Sequence, residues 1–174
     1  MIRISTFILA ITVLHPIAFA ADPSVQDSLV LGEVRKLAES MTDGVATMYD
    51  EYVKIKYTDL SFTPGDKMDA VVLFSMEGWH GGNGYYQFVA VFVHGSNDGW
   101  APHWQFHEFR LAGVTRVGMD YERSFDDFTV EGDLIYFTGS AWTDKDAHCC
   151  PTGTAKATFQ INEYSIIEVL QNGS

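Results

Sequence analysis

The chain has 174 residues, and its 11 basic and 23 acidic side chains give a formal net charge of -12. That length is one domain's worth and enough to bury a real core. Charge of this sign argues against nucleic acid and anionic lipid as partners; it favours a basic protein, because opposite fields speed encounter and discriminate between partners, although the same surface also serves simply to keep a chain soluble.

Residues 1–20 have the three parts of a secretory signal peptide. Arg3 supplies the positive end, residues 4–14 form an apolar run broken only by Ser5, Thr6 and Thr12, and His15-Pro16 closes it. Ala18-Phe19-Ala20 gives a small-x-small cleavage site before Ala21. A membrane anchor is the alternative, but the run is shorter than the roughly 20 residues that span a bilayer. No cysteine lies near the cleavage site to carry a lipid. The expected product is a single β-rich domain over 21–174 in the periplasm, with no membrane insertion after signal cleavage.

The first expected element is a helix over 24–41. Asp22 and Ser24 are candidate caps, and Val25, Leu29, Val34, Leu37, Ala38 and Met41 recur near helical spacing before Gly44. Residues 52–57 alternate with period two, the mark of a strand with one wet face. Residues 70–76 and 85–93 are nearly continuous apolar runs suited to central strands, and 103–111 reads as a strand rich in aromatic residues. Strands 128–130 and 134–142 flank the short loop Glu131-Gly132-Asp133, and strands 155–161 and 164–170 flank Asn162-Glu163. Seven or eight strands behind one helix, joined by short turns, predict a mainly β fold: an antiparallel sandwich or a strongly curled sheet.

Metal and catalytic readings fare poorly. His103 and His107 would share a helix face, but on a strand they sit roughly 13 Å apart, too far for one ion. His107-Glu108 begins like a zinc-protease motif, yet Leu111 stands where the second histidine belongs. Asp120, Glu122, Asp126, Asp127, Glu131 and Asp133 crowd a short stretch whose spacing fits no EF-hand, so a solvated acidic face is the reading preferred to a calcium site. No nucleophile elbow, phosphate loop or dinucleotide fingerprint occurs. The sequence therefore predicts no enzyme, no metal and no cofactor.

The two cysteines, Cys149 and Cys150, are adjacent. An exported chain permits oxidation, and a bond between neighbours would stiffen a tight turn instead of stapling distant strands; two free thiols are the alternative. Two loops have the composition of binding loops, in which glycine, serine and asparagine adapt while tryptophan anchors. One is Gly78-Trp79-His80-Gly81-Gly82-Asn83-Gly84. The other is His94-Gly95-Ser96-Asn97-Asp98-Gly99-Trp100. The candidate partner-binding residues are therefore Trp79, His80, His94, Gly95, Ser96, Asn97, Asp98 and Trp100. The two loops flank strand 85–93 and belong at its opposite ends.

Asp69-Ala70-Val71-Val72-Leu73-Phe74, Glu77-Gly78 and Gly81-Gly82-Asn83-Gly84 form one block. Glu131-Gly132-Asp133-Leu134-Ile135 and Asp146-Ala147-His148-Cys149-Cys150-Pro151-Thr152 form a second. Together they resemble a pattern in small bacterial envelope proteins and lipoproteins of unassigned activity. The resemblance covers about 70–162, is most specific at Cys-Cys-Pro, and implies a non-enzymatic β domain. In size, signal peptide and acidity the chain is also similar to periplasmic immunity proteins that block peptidoglycan amidases delivered by type VI secretion. That similarity implies a basic cell-wall hydrolase as partner, with Ser96 in the position to enter its cleft. The competing class is an envelope accessory protein that binds a ligand or assembly partner.

Overall fold

The computed structural model describes residues 23–63, 68–79, 84–95, 108–119, 122–147, 149–163 and 165–169, and among them the chain forms one α-helix and nine strands. Helix α1 (Pro23–Thr42) buries Val30, Val34 and Ala38, with Leu37 and Met41 packed beside them. Val25 and Leu29, expected on that face, are 55% and 43% exposed. At about 100° per residue they fall well round the helix from the 30-34-38 stripe. Ser24 is not a cap but the second helical residue, and Asp22 lies outside the described residues. The helix stops where Gly44 turns to φ +78° and the Val45 N–H donates to the Thr42 carbonyl at 3.0 Å.

The strands are β1 (Thr47–Met48), β2 (Lys54–Thr58), β3 (Asp69–Glu77), β4 (Tyr85–Gly95), β5 (Glu108–Met119), β6 (Arg123–Glu131), β7 (Leu134–Ala141), β8 (Gly153–Asn162) and β9 (Ser165–Glu168). Every pairing is antiparallel. β1 and β2 both pair with the same edge of β3, so nine strands fill eight lanes. β5 meets β6 at one register pair, Met119↔Arg123. The ladder therefore divides there into a five-strand sheet, β1 to β5, and a four-strand sheet, β6 to β9, stacked as an open sandwich.

Burial on both faces explains the continuous apolar runs of β3 and β4. Ala70, Val72, Phe74 and Met76 of β3, with Phe88, Ala90 and Phe92 of β4, face the helix. The alternate residues Val71, Leu73, Val89, Val91 and Val93 face the four-strand sheet. That sheet shows plain alternation, sending Ile135, Phe137, Ala155, Ala157, Phe159 and Ile161 inward. Three contacts across more than seventy residues join β6 and its turn to the β2 region: the Lys54 ammonium donates to the Asp126 carbonyl, Thr58 Oγ1 donates to the Gly132 carbonyl at 3.4 Å, and Ser61 donates to the Asp133 carboxylate.

Two strands depart from expectation. The strand expected over 103–111 runs over 108–119 among the described residues, with 103–107 outside them. Gly113, Gly118 and two irregularities of register against β4 hide its period. The strand expected over 128–130 begins at Arg123, because Asp126 is an extra residue: Phe125 pairs with Gly139 and Asp127 with Thr138. A Cβ on Gly139 would lie 2.0 Å from the Ser124 carbonyl oxygen, so only glycine admits this approach.

Candidate functional site

The inner face of the five-strand sheet changes character along its length. On β3 it reads Val71, Leu73, Ser75, Glu77, and on β4 it reads Val93, Val91, Val89, Gln87, Tyr85. The apolar half lies under the four-strand sheet. The polar half continues past β6, the last strand of that sheet, and becomes the floor of an open cleft of about 320 Å3. Glu51, Tyr52 and Lys54 form one wall; Ser124, Phe125 and Asp126 form the other. A 3-10 turn at Asp50–Tyr52 between β1 and β2 places the first wall, and the bulge at Asp126 places the second.

The floor is tied to the second wall by hydrogen bonds. Gln87, only 6% exposed, uses its side-chain amide as a strand would use a peptide: Nε2 donates to the Phe125 carbonyl at 2.9 Å and Oε1 accepts from the Phe125 N–H at 2.7 Å. Beside it the Tyr85 hydroxyl donates to Ser124 Oγ at 2.8 Å. Lys54 is held by the Asp126 carbonyl, and among the described residues neither Glu51 nor Glu77 has an ion-pair partner. The lining thus carries three carboxylates and one ammonium. Chemically such a lining suits a cationic group such as a lysine or arginine side chain, and among the described residues neither histidine nor cysteine lines it.

A second set of polar contacts is architectural. The Asp69 carboxylate, fully buried, accepts from the Leu60 N–H (3.2 Å), the Thr63 hydroxyl (2.6 Å) and the His94 N–H (2.9 Å). The Arg123 guanidinium donates to both oxygens of Glu168 at 2.6 and 2.7 Å and to the Val117 carbonyl at 2.8 Å, clamping the corner between the sheets. The hydrogen bonds from Arg123 hold the Glu168 carboxyl below its ordinary range. Burial, then the hydrogen bond to Asp27, pushes the Tyr57 hydroxyl well above its ordinary value, so it stays a donor.

The residues expected to bind a partner separate as their positions in the chain imply. Trp79 follows Gly78, whose φ of +86° opens the β3–β4 hairpin, and it stacks on Phe88 at 5.4 Å. His94 is the penultimate residue of β4 at the opposite pole, its ring 5.0 Å from that of Phe109, and Gly95, the last, pairs with Glu108. His80, Ser96, Asn97, Asp98 and Trp100 lie outside the described residues, as do His103, His107 and Asp120. Cys149 and Cys150 are joined as a vicinal disulfide on an exposed turn. Asp146 shapes that turn by accepting from the Thr152 N–H (3.0 Å), the Thr143 N–H (2.7 Å) and the Thr152 hydroxyl (2.7 Å), which hold its carboxyl down at about 2. Of the acidic stretch, Asp133 caps Ser61, while Glu122, Asp126, Asp127 and Glu131 are exposed. Among the described residues no group of three histidine, cysteine or carboxylate side chains converges as ion ligands, and no helix is long and apolar enough to cross a membrane.

Sequence reasoning missed the cleft. Its signal was present in Ser75 and Gln87, polar residues inside the runs 70–76 and 85–93, and in Glu77 just past the first of them. The chain matches no protein-family model, no curated protein and no solved structure.

Proposed function

We propose that the protein is a non-enzymatic binding protein that captures a basic protein partner, with the cleft at the open end of the sandwich receiving a lysine or arginine side chain. The observation that carries this reading is the polar half of the inner sheet face. Ser75, Glu77, Tyr85 and Gln87 occupy positions where two central strands would otherwise continue an apolar core, and among the described residues neither Glu51 nor Glu77 has an ion-pair partner there. Uncompensated carboxylates facing an accessible concavity favour a cation. The chain's charge of -12 extends the same preference over long range.

The sharper form follows from the likeness in size, signal peptide and acidity to periplasmic immunity proteins. The partner would be a basic cell-wall hydrolase, and the protein a periplasmic immunity protein that occludes a peptidoglycan amidase, with the His94–Trp100 loop supplying Ser96 and Trp100 to the enzyme's cleft. The test is association with a purified basic peptidoglycan amidase, read by binding kinetics and by peptidoglycan cleavage. Salt should slow association while leaving dissociation nearly unchanged. The pair Glu51→Gln and Glu77→Gln should weaken binding, and Ser96→Arg and Trp100→Ala should each weaken inhibition. Loss with the carboxylate variants but not the loop variants would reassign the contact to the cleft alone. Binding that is indifferent to all four, or absent, overturns the reading in favour of an envelope accessory protein with another ligand.

A further inference from the structure

The face of the five-strand sheet that carries α1 holds a second concavity, remote from the polar cleft in chemistry. It is a groove of about 300 Å3 lined, among the described residues, by Trp79, Tyr86, Phe88 and Arg116. Trp79 stacks on Phe88 with centroids 5.4 Å apart and planes at 28°, and stands edge-on to Tyr86 at 6.0 Å and 83°. The Trp79 and Tyr86 rings make a right-angled corner. Arg116, paired across the sheet with Phe88, holds its guanidinium carbon 5.4 Å from the Tyr86 ring centroid. It is exposed and has no salt bridge among the described residues, in a chain with about twice as many acids as bases.

We propose that this groove binds a small aromatic carboxylate, its ring in the Trp79–Tyr86 corner and its carboxylate on Arg116. Three features select that class. Edge-to-face and offset stacking on tryptophan and tyrosine reward a flat ring. Among the described residues the guanidinium is the only charged group in the lining, and its planar fork matches a carboxylate. Among the described residues the lining's polar side-chain atoms are few, the Trp79 indole N–H and the Arg116 guanidinium chief among them. A sugar acid would bring more hydroxyls than these can satisfy, and burying them unpaired is unfavourable. The volume is at the small end for ligand sites, suited to a single ring with a short acid arm. This inference does not rest on the function proposed above.

The test is titration of the 15N-labelled protein with phenylacetate and, separately, with its neutral isostere phenylacetamide. Phenylacetate should shift the backbone resonances of residues 86, 88 and 116 and the Trp79 indole resonance, assigned with Trp79→Phe. It should bind about tenfold more tightly than the amide, the lower end of what a charge-assisted hydrogen bond supplies. Arg116→Gln, on an exposed position of the sheet, should abolish that preference, and Arg116→Lys should keep part of it. Trp79→Ala should weaken both ligands; if that variant fails to fold, the arginine pair still decides the matter. Equal binding of acid and amide, a preference that survives Arg116→Gln, shifts that map elsewhere, or no saturable shift at all would each overturn the assignment.

Discussion

Gln87 is where the two sheets are stitched together, and replacing it tests that account most directly. In Gln87→Ala the Phe125 N–H and carbonyl lose their partners, and each orphaned backbone group costs about 1 to 3 kcal/mol. The adjoining cleft lets water reach part of the site, which places the total near 3 kcal/mol. Gln87→Glu separates hydrogen bonding from packing. A protonated glutamic acid reproduces the amide, with O–H donating to the Phe125 carbonyl and C=O accepting from its N–H, whereas the carboxylate turns an acceptor toward an acceptor. The folded-state pKa of that group therefore lies above its unfolded value of about 4.3. A raised pKa means that the stability is fully present below the unfolded value and is lost as pH rises through the folded one. Each unit of elevation is about 1.4 kcal/mol, so at neutral pH the deficit should approach that of Gln87→Ala. Urea unfolding at pH 4.5 and 7.5, each variant compared with the parent at the same pH, measures this, with equal m-values as the control. The reasoning fails if Gln87→Glu shows the same deficit at both pH values, or if Gln87→Ala costs less than about 1 kcal/mol.

Gly139→Ala should destabilise by about 3 kcal/mol in the same assay, since its Cβ would lie 2.0 Å from the Ser124 carbonyl and backbone must move. Glu168→Gln should cost about 1 kcal/mol or less at pH 7, because the pair with Arg123 is about a third exposed. The Glu168 pKa is depressed, so its contribution is present above the ordinary carboxylate range and the parent loses its advantage as pH falls through the lowered value. Asp146→Ala should raise amide exchange at Thr143 and Thr152 and speed thiol reduction of Cys149–Cys150; in the parent that protection persists in acid until the pH approaches about 2. Replacing both cysteines with serine should change the unfolding midpoint little, because the closed ring is so small. Protein recovered from the periplasm should have the intact mass of a chain beginning at Ala21.

The helix, the hairpins and the antiparallel sandwich were legible because their signals are local. The helix expected over 24–41 spans Pro23–Thr42, and the two hairpin loops at Gly132 and Asn162 are where turn residues interrupt alternation. β5 and β6 were misjudged where bulges shift the period and where Asp126 and Asp127 make a strand look like a solvated run. The cleft was illegible for a different reason. Ser75 and Gln87 read as minor interruptions of apolar strands, and only the place where the second sheet ends makes them a floor. The groove shares that property, since nothing in the spacing of Trp79, Tyr86 and Arg116 says that the register of β5 on β4 sets Arg116 opposite Phe88.

The strand order has a kinetic consequence. Apart from the β1 and β2 lane, each strand pairs with its neighbour in the chain, so most ladders close short loops and are cheap to nucleate. Two of the contacts that hold one sheet on the other are of the opposite kind: Ser61 to Asp133 and Thr58 to Gly132 span 72 and 74 residues. Each sheet should then assemble as a meander ahead of their docking. Substitutions at Ser61 or Asp133 would accordingly leave the folding rate nearly unchanged and accelerate unfolding, so these polar clasps govern how long the folded chain lasts more than how fast it forms.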